Sequence, residues 1–239
     1  MNTARSIKNL AIIPARSGSK RIPGKNIKSF LGKPLLGWTI ENTKNVKIFD
    51  EVIVSTDSQS IAELAISYGA SIPFMRSQDS ANDFSTLSDV LSEVLLEYQK
   101  LNIEVLSLCC ILPTAVFASS NLIERGMMMM YQHQCDSVIP VIKYGHPIQR
   151  ALSIQNDLLR FKYPEFCSTR TQDLESSFFD SGMFYCVNVA AFLANNQIFM
   201  KNTIGMEVPE KFAQDIDTDE DWKYAEIKYQ VMQQIGDSL

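Results

Sequence analysis

Short continuous apolar runs alternate along this chain with stretches whose apolar residues recur every three to four positions, and each change of period predicts a change of element. Leu10 to Ile13 is continuous, β-rich and closed by Pro14, which predicts a buried strand. Leu35, Leu36, Trp38 and Ile40 start a helix that fades near Asn45, with Pro34 placed for its first turn. Glu51 to Thr56 predicts a second buried strand ending in Asp57. Ser58 then caps a helix that runs to about Tyr68 and stops at Gly69. A short strand is expected at 71–74. A helix follows from Thr86 to Leu101, with Leu87, Val90, Leu91, Val94 and Leu95 on one face. Val105 to Leu112, the most hydrophobic run, predicts the central strand; a helix over 121–132 and strands over 137–142 and 182–189 complete the series. This β-α-β rhythm implies an α/β fold, a mostly parallel sheet with helices on both faces and ligands at the carboxyl ends of the strands.

The rhythm breaks between Lys143 and Asp180, a polar, irregular segment containing Pro147 and Pro164. A stretch this long without an obvious helix is a lid, a linker or a projecting arm, and the arm is the favoured reading. There are no internal repeats or low-complexity tracts, so one domain over 1–239 with an arm over 143–181 is expected. Met127 to Met130 reads as helix packing.

Composition narrows the function. Of 239 residues 46% are hydrophobic, enough for a full core. The net charge of −5 argues against a general nucleic-acid or membrane surface. No stretch approaches the apolar length of a membrane span, and MNTARSIKN lacks the apolar core of a signal peptide, so a cytoplasmic protein is expected. Five cysteines, with Cys109 and Cys110 adjacent in an apolar run, read as reduced core residues. With only His133 and His146 and no CxxC pair, a structural zinc site is not expected.

Against this acidic background, the segment after the first strand, PARSGSKRIPGKN, carries Arg16, Lys20, Arg21 and Lys25 and no acid. Gly18 and Gly24 let the backbone approach a ligand, and the fixed cations would neutralise phosphate charge. A charge run is usually a solvated surface, but these cations are interleaved with Gly and Pro rather than spread along a helix. The familiar phosphate motifs do not apply. A Walker loop needs four residues between its glycines and a hydroxyl after the lysine. Here five residues separate Gly18 from Gly24, and Asn26 follows Lys25. No glycine triplet of the dinucleotide type occurs.

A second constellation lies in AQDIDTDEDW. Asp215 and Asp217 alternate about Ile216, so in an extended strand end they project to the same side and can share one hard cation. Thr218 with Asp221 makes a capping box for the last helix, and Asp219 and Glu220 suit its N-terminus, which accounts for the later acids without chemistry.

The string ARSGSKRIPGKN resembles the signature of the acylneuraminate cytidylyltransferases, which join CTP to a nine-carbon acidic sugar. Ala15, Arg16, Ser19, Lys20, Pro23, Lys25 and Asn26 match that pattern. The Asp-Ile-Asp of 215–217 occurs at the corresponding place and in that family carries the metal. The resemblance spans nearly the whole chain. It implies a Rossmann-like nucleotide-diphosphosugar transferase fold, magnesium as cofactor and a homodimer in which the arm sends residues into the partner's site. It also implies a nucleotide site of Ala15, Arg16, Ser19, Lys20, Arg21, Lys25, Asn26 and a cytosine-reading Arg76, although Arg76 by itself reads as a surface residue. Arg16, Lys25 and Asp217 become the expected catalytic residues. Lys20 and Arg21 would hold the departing phosphates.

Ser85 and Thr86 fall where the family contacts the sugar from a helix start, with a plain N-cap an equal reading. YGHPIQRAL and KYPEFCSTRTQDL are most similar to the pseudaminic acid branch. There Gln149, Arg150, Arg170 and Gln172 are expected at the sugar, with Arg170 facing its carboxylate, or else on a polar subunit arm. Gln149 and Leu112 stand where sialic acid enzymes have lysine and glutamine. Val116 and Met183 depart from the Pro and Gln expected in the pseudaminic branch. The alternatives are a sialic or legionaminic acid enzyme, and a regulatory module that retains the loop without turnover. No nucleic acid or membrane partner is expected.

Overall fold

A computed structural model describes residues 5–82 and 84–235. In chain order the elements are β1 (Arg5–Pro14), the two-residue strands β2 (Ser29–Phe30) and β3 (Lys33–Pro34), α1 (Leu35–Lys44), β4 (Glu51–Ser55), α2 (Gln59–Ser67), α3 (Gln78–Ala81), α4 (Leu87–Lys100), β5 (Ile103–Ile111), α5 (Ser120–His133) and β6 (Ser137–Lys143). The second half holds β7 (Leu152–Gln155), β8 (Leu158–Phe161), β9 (Phe178–Asp180), β10 (Phe184–Asn188), α6 (Val189–Asn195), β11 (Thr203–Glu207) and α7 (Asp219–Ile235).

The main sheet runs β11-β6-β10-β5-β1-β4, with β9 added on β6. The pairs β1 with β4, β1 with β5, and β6 with β11 are parallel; β10 is antiparallel to both β5 and β6. The carboxyl ends of β1, β4, β5 and β6 therefore share one rim of the sheet, and β10 starts from it.

Side chains alternate between two cores. Ala11 and Ile13 face one with α1, α2, α5 and α7, while Leu10 and Ile12 face the other with α4 and α6. Burial on both faces explains why the Leu10 to Ile13 run shows no polar alternation. Met127 and Met130 pack inside the first core and Met128 is exposed, as helix packing requires. Among the described residues no helix is long and apolar enough to cross a membrane.

Several boundaries move. Pro34 is the residue before α1 rather than inside its first turn, because its carbonyl already lies in extended backbone. The strand expected at 71–74 reduces to a single bridge from Ser71 to Ile53. Pro73 lacks the N–H that would have continued a ladder. The region 143–181 contains a hairpin, β7 with β8, turned at Asn156 and Asp157, both at positive φ. Helix α6 and strand β11 also went unforeseen; each is too short for a period to emerge.

Candidate active site

Strand β1 ends under the cationic loop, and hydrogen bonds fix the loop at both ends. Ala15 is fully buried and its N–H bonds Ser55 O at 2.9 Å, which prolongs the pairing with β4. Ser17 N and Oγ both donate to Asp57, at 2.8 and 2.6 Å. Burial would raise the Asp57 carboxyl, but the Ser17 hydrogen bonds outweigh it and leave the pKa below the ordinary carboxylate value. Asn26, buried, donates to Arg16 O at 2.9 Å and closes the loop on itself. Gly24, at φ 61°, accepts from Ile27 N and Lys28 N in a turn that a Cβ would strain. Ser17 and Asp57 hold the loop without having been singled out from the sequence. The signal present was an acid at the carboxyl end of the second strand.

Arg76 is buried, against its sequence reading as a surface residue. Its Nε donates to Ser55 Oγ at 3.0 Å, and one terminal nitrogen donates to Ser55 O at 2.6 Å. Burial lowers the guanidinium pKa, and the charges of Asp57 and Glu93 act against that shift. Glu93, from α4, accepts from Ser77 N at 2.7 Å and from Ser80 Oγ, so the helix steadies the segment after Arg76. Arg16 donates to Asn82 O at 3.1 Å, which ties the cationic loop to this same segment. Ser85 Oγ donates to Asp79 O at 2.9 Å. Thr86 caps α4 in a reciprocal box with Asp89, so the plain cap accounts for its geometry.

The aspartate pair arrives from the far end of the chain. It does not end a strand, as its alternation suggested: β11 stops at Glu207, and a short 3-10 turn over Glu210–Phe212 intervenes. Ile216 is fully buried and pins the segment, leaving Asp215 and Asp217 on either side of an anchored residue. Lys25 Nζ donates to Ile216 O at 2.7 Å and lies 3.4 Å from Asp217 Oδ1; Arg21 reaches the same oxygen at 2.9 Å. Two motifs 191 residues apart thus meet through one ammonium. Surrounding protein strips hydration from Asp215 and raises its pKa, and the charge of Asp217 adds to the rise. The Thr218 and Asp221 box forms as expected, with Thr218 N donating at 2.8 Å.

A family model described as cytidylyltransferase matches residues 10–228. The chain belongs to the cytidylyltransferase family. It is 37% identical over 227 residues to a pseudaminic acid cytidylyltransferase of Campylobacter jejuni, covering 94% of this chain and 97% of that protein. It is 33% identical to the CMP-N,N'-diacetyllegionaminic acid synthase of Legionella pneumophila, over 91% of this chain and 94% of that one. A solved CMP:2-keto-3-deoxy-manno-octonic acid synthetase complexed with CTP shares the fold, with a TM-score of 0.69 at 17% identity over 95% of this chain and 99% of that one.

The donor set of this cytidylyltransferase fits a hard divalent ion only in part. Asp215 and Asp217 offer two carboxylates, and among the described residues no cluster of three acidic, His or Cys groups occurs. Magnesium accepts such a set, because it takes one or two carboxylates and completes its shell with water and substrate phosphates. The arm residues stay apart from both motifs. Gln149 donates to Glu175 O at 3.2 Å, Arg150 to Cys167 O and Thr169 O, and Arg170 pairs with Asp173 at 3.6 Å, all within the arm, while Gln172 is exposed. A cavity of about 860 Å³ between α4, β5 and α6, lined by Leu95, Leu96, Val105 and Leu193, includes no residue of either motif.

Proposed function

We propose that this cytidylyltransferase joins CTP and pseudaminic acid to give CMP-pseudaminic acid and pyrophosphate. One observation carries the cytidylyl-transfer reading: Lys25, from the anion loop, is seated on the backbone of the aspartate pair. The likeness to the Campylobacter jejuni protein across 94% of the chain supports the choice of sugar. The sugar's anomeric oxygen attacks the α-phosphorus, the bond to the bridging oxygen of the β-phosphate breaks, and pyrophosphate leaves.

Charge builds on phosphoryl oxygens during this exchange, so positioning and fixed cations lower the barrier. Arg16 and Lys25 face the α-phosphate, and Lys20 and Arg21 hold the departing phosphates. Ala15, Ser19, Asn26 and Arg76 bind the nucleotide. Asp215 and Asp217 would hold magnesium, which would supply further neutralisation of phosphate charge. Ser85, Thr86, Gln149, Arg150, Arg170 and Gln172 serve the sugar, with Arg170 on its carboxylate.

The arm residues reach a site only in a homodimer, where the arm of one subunit lies over the other. Exposed apolar side chains on the hairpin support this pairing: Ile154 is 73% and Leu159 63% exposed. A lone two-stranded hairpin is marginal in water. The expected solution mass is that of a dimer, and a monomer at assay concentration would overturn the pairing. The reaction belongs in the cytoplasm, a placement in keeping with five free cysteines, four of them buried.

Pyrophosphate release from CTP and magnesium is the direct test, with pseudaminic, legionaminic and sialic acids compared. Fastest release with pseudaminic acid is expected. Faster release with either other sugar overturns the sugar assignment. No release with any of them overturns the enzyme reading in favour of a nucleotide-binding module.

A further inference from the structure

Asp180 closes β9 on the rim where β5 and β6 end. Its partner across the ladder is Val141 of β6, and Met183 O, three residues on, accepts from Leu112 N just beyond β5. Both of its oxygens are held from the protein side. Gly182 N donates to Oδ1 at 2.9 Å, and Tyr185 Oη donates to Oδ2 at 2.7 Å. Gly182 adopts φ 65° to make that turn, a conformation other residues rarely take.

Tyr185 is buried in β10 opposite Cys110 of β5. Burial raises its hydroxyl pKa, and the charges of Asp180 and Asp215 raise it further, so the phenol keeps its proton and donates.

Despite two anchoring bonds, Asp180 remains exposed, and no described cation pairs with it. A capping turn alone needs one carboxylate oxygen and no buried tyrosine beneath it. A fixed, unpaired, acceptor-only carboxylate facing solvent is matched by a neutral hydrogen-bond donor. It also repels an anion.

We infer that Asp180, positioned by Tyr185, is a sugar-specificity residue that accepts a hydrogen bond from an N–H or O–H of the acidic sugar. This rests on the sugar-nucleotide reading above. It assigns Asp180 to the sugar acceptor and leaves the nucleotide to the cationic loop.

The test is steady-state kinetics of Asp180→Asn and Tyr185→Phe, with CTP and pseudaminic acid varied separately and thermal midpoints recorded. Asp180→Asn is expected to raise the KM for the sugar about tenfold or more, the scale of one lost substrate hydrogen bond, with the KM for CTP within about twofold. Tyr185→Phe leaves the Gly182 bond in place and should raise the sugar KM less, in the same direction. A sugar KM that stays within about twofold in Asp180→Asn, or rises equally for both substrates, overturns the proposal. If Asp180→Asn does not fold, Tyr185→Phe decides on the same criterion. An inactive wild type overturns the functional reading and this proposal together, whereas an active wild type with an unmoved sugar KM overturns this proposal alone.

Discussion

Lys25→Ala is expected to lower the rate of cytidylyl transfer by about 10²- to 10³-fold, the scale set by removing one preorganised charge donor from a transition state. The side chain is 18% exposed and spans from the loop to Ile216 O and Asp217. Its removal takes a fixed cation from the place where phosphoryl charge develops, and it unties the loop from the aspartate segment. The stability cost is smaller. One charge-assisted hydrogen bond contributes roughly 1.5–3 kcal/mol, and Arg21 still pairs with Asp217. The thermal midpoint should fall by a few degrees and no more, with unchanged secondary structure by circular dichroism. Near-normal turnover in a folded Lys25→Ala would remove Lys25 from the catalytic set.

Asp217→Asn is expected to raise the magnesium concentration for half-maximal rate by about tenfold or more, since even loss of a partner that only orients a metal ligand costs about 10- to 100-fold in affinity, and to reduce turnover at every magnesium level. Two effects combine. An amide is a weaker ligand for a hard cation than a carboxylate, and Arg21 and Lys25 lose the charge that orients them. Asp219→Asn is the control, since Asp219 is exposed and pairs with Lys28 at 2.9 Å at the start of α7. It should leave the titration unmoved, because an exposed surface pair contributes little. Superimposable magnesium titrations for Asp217→Asn and the wild type would contradict the metal assignment.

Family, fold and both motifs were legible in the sequence because each depends on local order. The loop is a contiguous string, and its glycines, proline and cations carry their meaning wherever the strand delivers them. The Thr218 and Asp221 box was legible for the same reason, as its bonds span three residues. Arg76 was misread by its own chemistry. An arginine in isolation belongs on the surface, and only the convergence of Ser55 from β4, Asp57 from the connection after it and Glu93 from α4 makes its burial tolerable. The β7 and β8 hairpin was hidden because each strand is only 4 residues long, too short for the Leu152 to Gln155 alternation to mark an element, and no buried face distinguishes either strand.

The sequence by itself determined that this chain is a cytidylyltransferase with an α/β core, because strand and helix periods and the loop string are one-dimensional properties. Tertiary structure alone decided that Lys25 sits on the backbone of Ile216 across 191 residues, that Asp57 holds Ser17, and that Tyr185 fixes Asp180. Those contacts arise from the order in which the strands lie in the sheet. With β5 set between β1 and the antiparallel β10, segments far apart in the chain end on one rim, and no local pattern encodes that adjacency.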